Sequence, residues 1–128
     1  MEKLDYFANE NVPMVVTQGV QTKLSQRLIA GLFGIVFQQK EKLNKLGIEM
    51  DSLQVFTVEA EHAFDDNVTV YKITLEQEEP KYKSVTYAME EGGYTFSGKV
   101  WVIESWNGKT ENVTLDDHYI TMLFPSEY

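Results

Sequence analysis

The sequence predicts an α+β domain, one long amphipathic helix packed on an antiparallel sheet of five or six strands. Three observations predict it. Leu24, Leu28, Leu32, Ile35, Leu43 and Leu46 recur at helical spacing, with Gln39 interrupting the stripe. After Gly47 the pattern changes to alternating apolar segments separated by turn residues. Asn107-Gly108 is the strongest hairpin signal, because a type I′ turn needs positive φ at both central positions.

Val12 to Thr17 reads as a short strand with Pro13 near its start, where a missing N–H does least harm. Gln18-Gly19 then reads as a turn. The helix begins near Thr22, and its apolar stripe predicts a length of roughly 22 to 26 residues. Gly47 has the place of a left-handed residue just past the helix end, and Lys42 and Lys45 suit the negative end of the dipole. Gly31 and Gly34 each cost about 1 kcal/mol against alanine, which predicts a close neighbour at the helix backbone.

The strands follow as Leu53 to Ala60, Val68 to Glu76, Tyr82 to Met89, Tyr94 to Ser105 and His118 to Phe124. Gly98 is read as a bulge in the fourth of these. One domain is expected over 1–128, with a leader over 1–11 and an extended loop over 104–117. Tyr71, Ile73 and Leu75 oppose Val68 and Val70, as Trp101 and Ile103 oppose Val100 and Val102. Strands apolar on both faces need cover on both. The leader (Leu4, Tyr6, Phe7), the loop carrying Trp106 or a second subunit are the candidates, and a homodimer using Val68, Val70, Val100 and Val102 is the expectation.

Composition narrows the function. The net charge of −9 comes from twenty acidic and eleven basic residues. Between Gln21 and Leu46 five basic residues face Glu41 alone, whereas from Gly47 to Tyr128 five lysines face sixteen carboxylates. A chain this acidic has few cations to place on phosphates, so direct binding to nucleic acid or to an anionic membrane is not expected. Binding a basic protein surface is electrostatically easier. Cysteine is absent, which excludes a disulfide scaffold, thiolate metal sites and cysteine nucleophiles. The residues after Met1 do not resemble a secretory signal, and the longest apolar stretch, Leu28 to Phe37, is about half a membrane span. A cytoplasmic location is therefore expected, and the two Asn-Val-Thr sequons, at Asn67 and Asn112, are read as chance matches.

No motif names a reaction. Asp116-Asp117-His118 is the one cluster with atoms suited to a hard metal or a general base. Adjacent strand residues point to opposite faces, so a polar turn is the preferred reading, and neither a metal nor another cofactor is expected. His62 reads as a surface histidine. The carboxylates at Asp65, Asp66, Glu78, Glu79, Glu90 and Glu91 fall in expected turns or links, where charge is normally solvated, and none shows the apolar pocket a glycosidase acid needs.

A further pattern runs along the chain: Thr17-Gln18-Gly19-Val20, Leu53-Gln54-Val55-Phe56, Gln77-Glu78-Glu79-Pro80-Lys81-Tyr82, Lys99-Val100-Trp101-Val102-Ile103 and Thr121-Met122-Leu123-Phe124-Pro125-Ser126-Glu127-Tyr128. In this order the segments resemble a small uncharacterised family of Gram-positive bacteria and their phages, domain of unknown function nine hundred and sixty. The resemblance covers about Thr17 to the C-terminus. The chain departs from the pattern before Val12 and over Glu104 to Asp117. The resemblance implies a cytosolic, one-domain phage or accessory protein and no catalytic residue.

The leading expectation is a non-catalytic accessory or phage protein that docks on a basic surface through Asp65, Asp66, Glu76, Glu78, Glu79, Glu90 and Glu91. Its most concrete form is an inhibitor that imitates nucleic-acid charge and blocks a host nuclease or defence complex, such as a CRISPR effector. The alternatives are a self-associating structural or regulatory domain and, third, a hydrolase using Asp116 and His118.

Overall fold

The structure is a computed structural model that describes residues 14–62, 68–91, 95–106 and 118–128. Its elements are β1 (Met14–Val16), α1 (Gln18–Lys23), α2 (Gln26–Leu46), β2 (Leu53–His62), β3 (Val68–Glu78), β4 (Lys81–Glu91), β5 (Gly98–Trp106), β6 (His118–Leu123) and a short 3-10 helix, Pro125–Glu127. The six strands form one sheet in the order β1-β6-β5-β2-β3-β4.

The sheet is mixed, which corrects the antiparallel expectation. β1 pairs in parallel with β6, Met14 facing Ile120 and Val16 facing Met122, and the Thr17 N–H continues the ladder to the Met122 carbonyl at 3.1 Å. The other neighbours, β2–β3, β2–β5, β3–β4 and β5–β6, are antiparallel. Turn chemistry fixes direction only between strands joined by a tight turn. Almost the whole chain separates β1 from β6, so no local signal set the direction of that pair.

The helical stretch is also divided. Thr17 caps α1 by accepting the Val20 N–H on Oγ1. Leu24 is extended (φ −105°, ψ 143°), and Ser25 caps α2 by accepting the Leu28 N–H at 3.1 Å. The step from Leu24 to Leu28 has helical spacing, which hid the break. Gln18 and Gly19, read as a turn, instead form the first turn of α1. Gly47 ends α2 in the left-handed region at φ 70°, as its position implied.

α2 spans 21 residues and buries Leu28, Leu32, Phe33, Val36, Gln39, Lys40 and Leu43. The buried stripe thus takes in Gln39, whose Oε1 accepts the Ser84 hydroxyl at 3.1 Å, and leaves Leu46 exposed. A Cβ added at Gly31 or Gly34 would meet nothing within 4 Å, so neither glycine serves a close approach. Beneath the helices lie Phe56 and Val58 of β2, Tyr71, Ile73 and Leu75 of β3, Val100 and Val102 of β5, and Ile120 and Met122 of β6. Strand boundaries also differ from expectation. β2 runs on to His62 and β3 to Glu78, β4 extends from Lys81 to Glu91, Gly98 opens β5 opposite Val58, and residues 104–106, expected in the extended loop from 104, continue β5 against β6.

Candidate functional site

Strand alternation gives the sheet two unlike faces. α1 and α2 cover one. Among the described residues no helix or strand crosses the other, which carries Leu53 and Val55 of β2, Val68 and Val70 of β3, Val85, Tyr87 and Met89 of β4, and Trp101 and Ile103 of β5. Trp101 lies between Val55 and Leu123 in the ladder and meets Tyr128 edge to face, with ring centroids 5.6 Å apart. Val100 and Val102, expected at a subunit interface, are fully buried under the helices. They have the opposite strand parity to Trp101, so the apolar β5 side chains on the open face are Trp101 and Ile103.

Around Trp101 the open face forms a cleft of about 450 Å³ that includes Asp51, Glu76, Glu78, Lys81 and Lys99. Buried glutamines position its carboxylates. Gln77 Oε1 accepts the Asp51 N–H at 3.0 Å and the Gln54 amide at 2.9 Å, while Gln77 Nε2 donates to the Glu49 and Pro80 carbonyls, each at 2.9 Å. Asp51 Oδ2 in turn accepts the Glu79 N–H at 3.2 Å. These bonds tie the α2–β2 connection to the Glu79-Pro80 turn, whose peptide bond is cis.

The seven expected docking carboxylates do not form one patch. Glu76, Glu78 and Glu79 lie at the β3–β4 turn, with Glu78 and Glu79 exposed. Glu91 is exposed at the opposite end of the sheet, beside Val68. Asp65 and Asp66 fall outside the described residues, as do Asp116 and Asp117, while His118 begins β6. Glu90 is not a surface group at all. It is 6 % exposed under the start of α2, where its Oε2 accepts the Ser25 hydroxyl. Its alternation with Ala88 places it on the helix side, a parity the turn reading of Glu90-Glu91 overlooked.

The open face is laced with opposite charge. Glu59 faces Lys72, Glu76 faces Lys83 and Glu78 faces Lys81 across adjacent strands. Within the described residues nine basic groups stand against twelve carboxylates, so much of the net negative charge belongs to the remaining segments. Two further hollows flank α2. One of about 710 Å³ lies toward β1, with Val16, Ile29, Phe33 and Phe37 in its walls, and one of about 240 Å³ lies toward β4. Among the described residues no cluster of three or more His, Asp or Glu side chains could hold a metal ion, and no helix is long and apolar enough to cross a membrane.

Two titrating groups have distinct environments. Burial, then the charge of Glu90, raises the Tyr71 hydroxyl above the ordinary tyrosine range. Glu127 is held below the usual glutamate range by the Phe124 N–H at 2.9 Å and the Thr17 hydroxyl at 2.8 Å, both donated to its Oε1. Comparison with protein-family models, with curated proteins and with solved structures returned no match.

Proposed function

We propose that this chain is a non-catalytic, cytoplasmic binding protein whose open sheet face receives a basic segment of a partner protein around Trp101. The observation that supports it most is the cleft, crossed by no helix or strand among the described residues, in which Trp101 stands with Asp51, Glu76 and Glu78. An arginine can place its guanidinium over an indole face while its donors meet a carboxylate, so such a cleft suits Arg more than Lys. Three carboxylates against Lys81 and Lys99 leave the cleft with a small acidic excess.

The cross-strand Glu–Lys pairs argue against a continuous phosphate-like row on this face. Docking therefore rests on the Trp101 cleft, with Glu79 as an acidic rim at the turn, rather than on all seven carboxylates. A basic, nucleic-acid-binding surface of a nuclease or defence complex remains the partner class that the proposal names, in keeping with the resemblance to a phage and accessory family.

The test is a fluorescence titration with an arginine-containing peptide and with its glutamate counterpart. The basic peptide should bind, binding should weaken with salt, and Trp101→Ala or Glu76→Gln/Glu78→Gln should abolish or reduce it. Equal binding of both peptides, or binding indifferent to Trp101→Ala, would contradict the proposal.

A further inference from the structure

The two edges of the sheet are unequal. β1 is three residues long, whereas β4 presents eleven, Lys81–Glu91, and among the described residues no strand pairs with its outer side. A long exposed edge is a template for another strand. Val85, Tyr87 and Met89 on this strand are 45, 63 and 69 % exposed. Its charges are also ordered: Lys81 and Lys83 begin it, and Glu90 and Glu91 end it.

Two features on the helix side belong to the same edge. The hollow of about 240 Å³ opens between α2 and β4, with Gly31, Ile35, Ile73 and Ala88 in its walls. Glu90 lines it too, and while its Oε2 is bonded to Ser25, its Oε1 is buried with no hydrogen-bond partner. A buried carboxylate oxygen in that state can accept one more hydrogen bond.

We propose that β4 pairs antiparallel with β4 of a second copy of this chain, about a two-fold axis at Thr86, joining the two six-stranded sheets into one. In this register Lys81 of each copy faces Glu91 of the other, and Val85 faces Tyr87, on the open side. On the helix side Tyr82 of the second copy faces Glu90, bringing a phenol donor to the side of the unpaired oxygen. Lys42, which lies 5.8 Å from the Tyr82 ring centroid, comes with it. The hollow beside Gly31 would then face its symmetry mate across the axis.

Pairing must preserve which face each residue occupies, so the register can shift only in steps of two. A shift either way leaves two residues of each eleven-residue strand unpaired and separates Lys81 from Glu91. The self-complementary charge order thus selects a second copy over an unrelated strand. The pairing uses the edge of the sheet and does not depend on docking at Trp101, so either can fail alone.

The chain has no cysteine, so one introduced thiol reports the register. Light scattering should give a dimer mass. Oxidation should link Thr86→Cys to itself, because residues directly opposite in a ladder have Cα atoms about 4.5–5.5 Å apart, within disulfide reach. Ser84→Cys, displaced from its mate, should not link. Lys81→Glu or Glu91→Lys alone should weaken dimerisation about tenfold, since each creates two like-charge pairs, and the double exchange should restore it. Both sites are exposed, so these variants test the pairing even if Thr86→Cys folds poorly. A monomer mass at every concentration, a dimer that links through Val70→Cys instead of Thr86→Cys, or single charge reversals without effect would each overturn the proposal.

Discussion

Replacing Gln77 with leucine tests whether buried polar bonds, rather than apolar packing, set the geometry beside the cleft. Gln77 is 2 % exposed and makes four hydrogen bonds: two accepted, from Asp51 and Gln54, and two donated, to the carbonyls of Glu49 and Pro80. Leucine has a similar volume, so no large cavity opens and the loss is mainly polar. At about 1 kcal/mol net per bond the four sum to about 4 kcal/mol. Water reaching the half-buried Asp51 and the exposed Pro80 reduces this, so the expected loss is about 3 kcal/mol.

Gln54→Leu should cost less, about 1 kcal/mol, because it breaks the bonds to the Asp51 carbonyl and to Gln77 but also removes Gln54 Oε1, which is buried without a partner. The assay is urea unfolding with the slope unchanged, and the double variant should lose less than the sum. A Gln77→Leu cost under about 1 kcal/mol, or equal costs at the two sites, would refute the reasoning.

Leu32 is fully buried where α2 meets the sheet, so Leu32→Ala should cost about 2–5 kcal/mol in the same unfolding assay, and a cost within error of zero would misplace the core. Glu127 predicts an acid effect of definite sign. Its carboxyl titrates lower in the folded chain, so its stabilisation is present above the ordinary glutamate pKa and is lost as pH falls through the folded value. Glu127→Gln should therefore flatten the acid limb of stability against pH, and an unchanged limb would show that the Thr17 and Phe124 bonds are not held in solution.

Much of this architecture is legible in the chain because its signals are local. Gly47 marks a helix end, alternation from Leu53 to Ala60 and from Val68 to Glu76 gives the bodies of two strands, and the Leu28 and Leu32 positions give the buried stripe. Non-local features escaped. The parallel β1–β6 pair has no turn to announce it, and the break at Leu24 is masked by leucines in helical step. Gly31 and Gly34 suggested close packing where the structure leaves open space, because a glycine's cost is visible in sequence while its neighbours are not.

For the candidate site, counting strand parity from Trp101 would have replaced Val100 and Val102 with Trp101 and Ile103 on the open face. It would also have paired Glu90 with Ala88 and Thr86 on the helix side. The glutamine bonds that hold Asp51 and the Glu79-Pro80 turn join segments distant in sequence, and no spacing rule reveals them. Opposite charges on neighbouring strands, such as Glu76 and Lys83, become a pair only once the β3–β4 register is known.

The most direct measurement of open-face docking is a residue-by-residue amide shift map of the isotopically labelled chain during titration with an arginine-containing peptide. The largest shifts should fall at Val55, Glu76, Trp101 and Tyr128. Largest shifts on the helix side, at Arg27 and Gln38, or around Asp116 to His118, would contradict docking on the open face.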